Sequence, residues 1–307
     1  MEARRVVAKV VGTKTRSVTR LVGSVDAVGH GTLHLLHSVD PIVLCDAVRL
    51  APGAAAAAQP LYGVIACSIV LEGALSHRNN LDQSEQQRSR DDDAQRRQQR
   101  QSITRAGGVS VTAAGRGCVR DEVSLERSLI FQVFVRIFDS EMSLPPAALR
   151  ASAAELPTTR DGAVLLVGEI MDGAETLRSP CTPASWPDAC VLLRVQGSKR
   201  VALPEECFHG FFVVFSGAGT VAGEPVSSAD DASVYVFGSG STIDFRGDDL
   251  DVFVAAGQPL VEEPWVSKIA GQNGFGVFRN AKEAHHVMPH ALHTGPDWSY
   301  KLLDEQR

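Results

Sequence analysis

The sequence lacks the features that mark membrane, nucleic-acid and metal-cluster proteins. Its longest apolar runs, such as FFVVFSG at 211–217, are far shorter than the roughly 20 residues of a membrane-spanning helix. Its six cysteines form no CxxC pair, the usual zinc or redox spacing. A net charge of −6 gives no reason to expect the basic surface of a nucleic-acid-binding protein. We therefore expect neither membrane insertion nor direct nucleic-acid binding.

The N-terminal region also lacks the apolar core of a secretory signal peptide. Residues 3–25 are free of acidic side chains and carry several Arg and Lys residues, as mitochondrial presequences do. The pattern RRVVAKVV alternates as in a strand and does not form an amphipathic helix. We expect a cytoplasmic protein with reduced, buried thiols, and mitochondrial targeting is the minor alternative.

Short β-branched runs that end in Gly, Pro, Asp or Ser dominate the chain. They are typical of an all-β sandwich or barrel and not of alternating βαβ units. The predicted strands are 5–11, 64–71, 108–113, 129–138, 163–170, 190–196, 211–221, 232–237 and 250–257. Helix is predicted only at 146–155 and 280–288.

The strand pattern occurs twice, which predicts two similar barrels in tandem. We expect an N-terminal barrel at 1–142, a linker at 143–160, and a C-terminal barrel with a short helical arm at 161–307. The segment 83–102 contains almost only Gln, Arg, Asp and Ser and has nothing to bury. It is therefore predicted to be a disordered insertion.

Several segments, in order along the chain, resemble the pirin family of bicupins. They are TRSVTRLVG (15–23), DPIVLCDAV (40–48), VLEGALSHRNNLDQ (70–83), TAAGRGCVRDE (112–122), LIFQVFVRI (129–137), VFVAAGQPLVEEPW (252–265) and GFGVFRNAKEA (274–284). The resemblance implies two stacked cupin barrels, the first of which holds one iron ion through His-x-His and His-x-Glu pairs. It also implies either a role as a transcriptional cofactor, with a nuclear as well as a cytoplasmic location, or quercetin 2,3-dioxygenase activity.

The residues at the family's ligand positions differ from that pattern. The H-P-H-R-G motif falls on Gln59-Pro60-Leu61-Tyr62-Gly63, and the His-x-Glu pair falls on Arg120-Asp121-Glu122. Among the four ligand positions Gln59, Leu61, Arg120 and Glu122, only Glu122 keeps the family residue. We therefore expect no metal at this site and no catalytic residue, because one carboxylate and a leucine cannot hold iron.

Arg120 and Glu122 lie two residues apart on a predicted strand and therefore share a face. One hypothesis is that the Arg120 guanidinium replaces the metal as a buried cation beside Glu122. The alternative is that Arg120 reaches solvent at the mouth of the barrel. A metal site at His286, His290 and His293 is left open, although Pro289 interrupts a helix there.

Three functions follow from these residues. The favoured one is a pirin-like, non-catalytic binding or regulatory module, monomeric and acting with an unidentified protein partner. The second is an iron-dependent dioxygenase of the quercetin 2,3-dioxygenase type. The third is a pocket for a small anionic ligand, lined by Gln59, Leu61, Arg120 and Glu122.

Overall fold

The computed structural model describes residues 4–11, 13–14, 18–22, 31–32, 40–79, 102–204, 207, 209–229, 233–238, 240–260, 265–269, 274–280, 282–284 and 286. The predicted insertion at 83–102 lies outside them except for its last residue, and so do His290 and His293. His286 is exposed. No helix within the described ranges is both long and apolar enough to cross a membrane.

Nearly all of the regular structure is β. The first thirteen strands are β1 (Val6–Val11), β2 (Thr13–Lys14), β3 (Val18–Val22), β4 (Gly31–Thr32), β5 (Ile42–Leu50), β6 (Ala55–Tyr62), β7 (Val64–Glu72), β8 (Ala74–Asn79), β9 (Ser102–Arg105), β10 (Val109–Ala113), β11 (Cys118–Ser124), β12 (Ser128–Arg136) and β13 (Ala147–Ala151). The other twelve are β14 (Val164–Asp172), β15 (Glu175–Arg178), β16 (Val191–Gln196), β17 (Lys199–Ala202), β18 (His209–Ser216), β19 (Ala218–Val221), β20 (Glu224–Ser227), β21 (Ser233–Phe237), β22 (Thr242–Arg246), β23 (Asp251–Gly257), β24 (Trp265–Ile269) and β25 (Gly274–Phe278). The helical elements are 3-10 turns at Asp139–Glu141 and Ala153–Glu155 and a helical segment at 282–284.

The strands form four sheets. Sheet I has the order β13-β10-β7-β12-β5-β3-β2, and sheet II has the order β4-β24-β25-β6-β11-β8-β9. Sheet III has the order β1-β21-β18-β23-β16-β14-β15, and sheet IV has the order β17-β22-β19-β20. The strand pairs that define these sheets are antiparallel except for β25 with β6.

The central strands of sheet I, β7 and β12, are buried on both faces. Phe131 of β12 packs against Phe215 and Phe253 of sheet III, with ring centroids 4.9 and 4.5 Å apart. The next residue, Gln132, points the other way and donates a hydrogen bond to Glu122 of sheet II. Burial of both faces explains why β7 and β12 are nearly continuous apolar runs, since neither face needs polar side chains.

The central strands of sheet III, β16 and β23, are likewise buried on both faces. In β16, Leu192 belongs to the cluster shared with sheet I, whereas Val191 and Leu193 belong to a second cluster shared with sheet IV. Because side chains alternate between the two faces of a strand, successive apolar residues of β16 belong to two different cores. Sheets I and II, here called the N-terminal half, therefore enclose one interior, and sheets III and IV, the C-terminal half, enclose another. The two halves meet through sheets I and III.

The chain crosses between the halves at both ends. Strand β1 pairs with β21 in sheet III, and β25 runs parallel to β6 in sheet II. A buried ion pair stabilises a third connection: Asp40 accepts hydrogen bonds from Arg136 Nε at 2.6 Å and from the backbone N–H of Leu260 at 2.6 Å. These contacts join three of the segments that carry the sequence resemblance, 40–48, 129–137 and 252–265. The division into 1–142, 143–160 and 161–307 stays a prediction.

The helix predicted at 146–155 is wrong. Residues Ala147–Ala151 form β13, which pairs antiparallel with β10 along its whole length, and only Ala153–Glu155 form a 3-10 turn. Alanine and leucine favour a helix locally, but pairing with a buried neighbouring strand overrides this weak preference.

Candidate functional site

The candidate site lies between sheets I and II and is centred on strand β11. Arg120 of β11 lies opposite Gln59 of β6 and Asn79 of β8, and Glu122 lies opposite His77 of β8. Arg120 and Glu122 are each about 3% exposed. Because they are two residues apart on one strand, both side chains point into the space between the sheets.

Three of the four predicted pocket residues share direct contacts. Gln59, Arg120 and Glu122 lie in one hydrogen-bonded cluster. Leu61 is fully buried, but it belongs to the large hydrophobic core. The prediction that all four line a ligand pocket stays a prediction.

Glu122 is the centre of the cluster. Its Oε1 accepts a hydrogen bond from Ser68 Oγ at 2.7 Å and lies 3.2 Å from His77 Nδ1 and 3.4 Å from Arg120 Nη1. Its Oε2 accepts a hydrogen bond from Gln132 Nε2 at 2.8 Å. Both carboxylate oxygens are therefore satisfied by protein groups, which offsets the cost of burying the charge.

Arg120 is held on several sides. Its Nε donates to Gln59 Oε1 at 2.9 Å, and its Nη1 lies 3.4 Å from Ser68 Oγ. The guanidinium carbon stands 5.3 Å from the centre of the Phe134 ring, within the range of a cation–π contact. The remaining guanidinium nitrogen, Nη2, is buried and has no hydrogen-bond partner among the described residues.

The electrostatic environment keeps Glu122 ionised. Burial by itself would raise the pKa of this carboxyl group, but the charge of Arg120, the contact with His77 and the hydrogen bond from Ser68 lower the pKa to about 2. Burial raises the pKa of the neighbouring Cys118 thiol to about 12 and also raises that of Cys67. Neither thiol is therefore a nucleophile at neutral pH.

The residues present do not fit an iron ion. The ligand set implied by the resemblance is three imidazoles and a carboxylate, whereas this site offers an amide, a leucine side chain and a permanently charged guanidinium beside Glu122. A divalent cation at Glu122 would face the positive charge of Arg120 at close range. Within the described part of the chain, no group of three or more His, Cys, Asp or Glu side chains is arranged to hold a metal ion.

Ser68, His77 and Gln132 were not predicted as site residues from the sequence. Ser68 is fully buried and interrupts the apolar run VIACSIVL, and Gln132 interrupts LIFQVFVRI. A polar residue in a buried strand must find a hydrogen-bond partner. That signal was available, but it does not identify the partner.

Solved structures with a similar fold are known, although no protein-family model and no curated protein matches the sequence. Quercetin 2,3-dioxygenase from Acinetobacter baumannii is similar over 96% of this chain and 98% of its own, with a TM-score of 0.66 and 16% identity. GK1651 from Geobacillus kaustophilus is similar over 85% and 99%, with a TM-score of 0.64 and 16% identity. The bacterial pirin YhhW from Escherichia coli, crystallised with nickel(II), is similar over 81% and 95%, with a TM-score of 0.55 and 13% identity. At these identities the likeness establishes the fold, and the chain has the pirin-like bicupin fold that its sequence predicts.

Proposed function

We propose that this protein is a non-catalytic, pirin-like binding or regulatory module in which a buried guanidinium replaces the metal of the N-terminal site. The observation that carries the proposal is the position of Arg120, whose Nη1 lies 3.4 Å from Glu122 Oε1 between the two sheets of the N-terminal half. A regulatory module of this kind acts through a protein partner, which the resemblance to pirins described as transcriptional cofactors supports.

The chemistry of the cluster supports a structural role for its residues. A metal-dependent dioxygenase needs open coordination positions at which substrate or O₂ can bind. Here the oxygens of Glu122 are hydrogen-bonded to Ser68 and Gln132, and Arg120 and Glu122 are almost inaccessible to solvent. The carboxylate oxygens of Glu122 would have to give up these hydrogen bonds before they bound a metal or a substrate.

The dioxygenase function is favoured by the similarity to quercetin 2,3-dioxygenase. A shared fold does not carry the activity with it, because the chemistry depends on the residues of the site. For this chain the dioxygenase function would need a metal held by Glu122 together with ligands other than Gln59 and Leu61.

The anion-binding function is favoured by a different observation. Arg120 Nη2 and His77 Nε2 are both buried and lack hydrogen-bond partners among the described residues. A small anion could accept hydrogen bonds from Arg120, or from His77 when that ring is protonated. Inorganic phosphate and acetate test this function. If either raises the melting temperature of the wild type but not that of Arg120→Met, the anion pocket replaces our proposal.

Metal analysis separates the first two functions. The protein is purified from cells grown with added iron, its iron, nickel, copper and zinc contents are measured, and flavonol oxidation is assayed with and without added iron. We expect far less than one metal ion per chain and no turnover. Stoichiometric metal together with flavonol turnover would contradict the proposal.

A further inference from the structure

A second feature of the molecule, unrelated to the Arg120 cluster, is an open cleft in the C-terminal half. Its volume is about 680 Å³, which lies within the range of small-molecule sites. It is bounded by the end of β14, by β15, by the loop 182–190, by the end of β17 and by Gln258 after β23. None of the residues of the Arg120 cluster lines it.

The walls of the cleft combine apolar and polar side chains in about equal measure. Trp186, Ile170 and Leu203 form buried parts of the wall, and Met171 is 59% exposed within it. Met171 is the most exposed of the large hydrophobic side chains in the described chain. An aromatic ring, aliphatic side chains and an accessible thioether together favour a flat apolar or aromatic ligand.

The loop that carries Trp186 is held in place before any ligand binds. The indole N–H donates to the carbonyl oxygen of Cys190 at 2.6 Å, and the backbone N–H of Trp186 donates to the carbonyl oxygen of Pro183 at 3.1 Å. Thr182 Oγ1 accepts from the backbone N–H of Gly168 at 2.8 Å and so anchors the start of the loop to β14. A pre-organised wall costs little ordering entropy on binding.

The charges around the cleft do not cancel. Glu169 and Arg178 form an ion pair at 2.9 Å and neutralise each other. Asp188 is exposed on the cleft and makes no ion pair with another residue in the described ranges. Its negative charge contributes to raising the pKa of Glu141, after burial. The cleft therefore carries one uncompensated carboxylate beside an aromatic wall.

From this arrangement we infer that the cleft binds a small aromatic amine, with its ring against Trp186 and Met171 and its ammonium group near Asp188. The carboxylate supplies a charge-assisted hydrogen bond, and the apolar side chains of the cleft contact the ring of the ligand. An aromatic acid of the same size would meet like charge at Asp188, and Arg178 is already paired with Glu169. The inference does not depend on the state of the N-terminal site.

The test uses three probes of similar size, namely phenethylamine, 2-phenylethanol and phenylacetate, titrated into the full chain by calorimetry. We expect phenethylamine to bind more tightly than the alcohol and the acid to bind most weakly. Asp188→Asn should weaken phenethylamine binding about two- to fivefold, the effect of losing one solvent-exposed charge pair. It should leave the affinity for 2-phenylethanol unchanged.

A matched pair of variants locates the site. Met171→Arg places bulk and positive charge inside the cleft and should abolish phenethylamine binding. Leu125→Arg makes the same change at another exposed apolar residue, which lies outside the cleft, and should have no effect. The indole N–H resonance of Trp186, assigned with Trp186→Phe, should shift on titration with phenethylamine.

Some results would overturn the inference: no binding of phenethylamine, binding of phenylacetate with equal affinity, or unchanged binding in Met171→Arg. A titration that shifts other resonances but not that of Trp186 would also overturn it. None of these results bears on the proposed function, because that function is tested by metal content and flavonol turnover.

Discussion

The two halves of the molecule each hold an arginine–glutamate pair, and the pairs differ in burial and not in chemistry. In the N-terminal half, Arg120 and Glu122 lie 3.4 Å apart, and each side chain is 4% exposed. In the C-terminal half, Arg178 and Glu169 lie closer, at 2.9 Å, but are 51% and 48% exposed. Distance alone would rank the second pair as the stronger. Water screens the exposed pair and replaces a lost partner, so breaking the buried pair should cost more free energy of unfolding.

The same contrast separates a closed site from an open one. Protein groups donate hydrogen bonds to both carboxylate oxygens of Glu122, so its charge is satisfied within the interior of the fold. Around Asp188, the carboxylate faces an open cleft. The position that corresponds to the family's metal centre is therefore filled by protein side chains, whereas the open cleft lies in the other half.

The sharpest test of this comparison is to remove the arginine of each pair. Arg120→Met should lower the free energy of unfolding by about 3–5 kcal/mol, because it leaves Glu122 buried without its cation. Arg178→Met should lower it by about 0–1 kcal/mol, because water replaces the lost partner. Urea unfolding of both variants checks the difference. Equal losses would mean that the buried pair is not a stabilising charge cluster.

The hydroxyl of Ser68 should have the next largest effect. It donates to Glu122 at 2.7 Å from a fully buried position, so Ser68→Ala removes a hydrogen bond to a charged acceptor. We expect a loss of about 2 kcal/mol by urea unfolding. Thr176→Ala is the matched change beside the cleft, where the hydroxyl is exposed and bonds only to Met171. Its effect should stay below about 0.5 kcal/mol, and a Ser68→Ala effect that small would contradict the network.

The ionisation of Glu122 should make stability depend on acid pH. The pKa of Glu122 is lowered from 4.5 to about 2 on folding, so its contribution is complete above pH 4.5 and is lost as the pH falls towards 2. In Arg120→Met the folded-state pKa of Glu122 moves upward, and the acid-dependent loss from this group should shrink. Urea midpoints of both proteins between pH 5 and 2.5 check this. Parallel pH profiles would show that Arg120 does not control the charge of Glu122.

The smallest expected effect concerns the backbone of the cleft. Ala189 has a φ of 50°, in the left-handed region that a residue with a Cβ adopts only at a cost. Ala189→Gly should relieve this strain and, after the entropy cost of glycine, raise stability by about 0.5 kcal/mol. Ala184→Gly, in the same loop but without a positive φ, should lower it. Thermal unfolding of the pair tests the sign, and a loss in both variants would contradict the strain at Ala189.

The sequence predicted the strands that consist mainly of apolar residues, because their burial in the core is enough to produce an apolar run. Strands β7, β12 and β23 lie within two residues of their predicted bounds. Strand β6 was not predicted, because its alanines favour no strand and its structure depends on pairing with β11 and β25. The helix prediction at 146–155 was wrong for the same reason, because the strand structure of β13 depends on its pairing with β10.

The candidate site was predictable in part. The resemblance pointed to Arg120 and Glu122, and the period of a strand placed both side chains on one face. The contacts with Ser68 and Gln132 were not predictable, because they join strands of a different sheet. The cleft was not predictable either, because its lining comes from five segments between Glu169 and Gln258 that carry no common motif.

The most direct test of the central claim, that Arg120 takes the place of the metal, is the iron content of two designed variants. Gln59→His/Leu61→His/Arg120→His restores the ligand pattern beside Glu122, whereas Gln59→His/Leu61→His keeps the guanidinium. Both are purified from cells grown with added iron, and their folding is checked by circular dichroism. We predict stoichiometric iron in the triple variant and little in the double variant. Equal iron in both, or none in a folded triple variant, would contradict the claim.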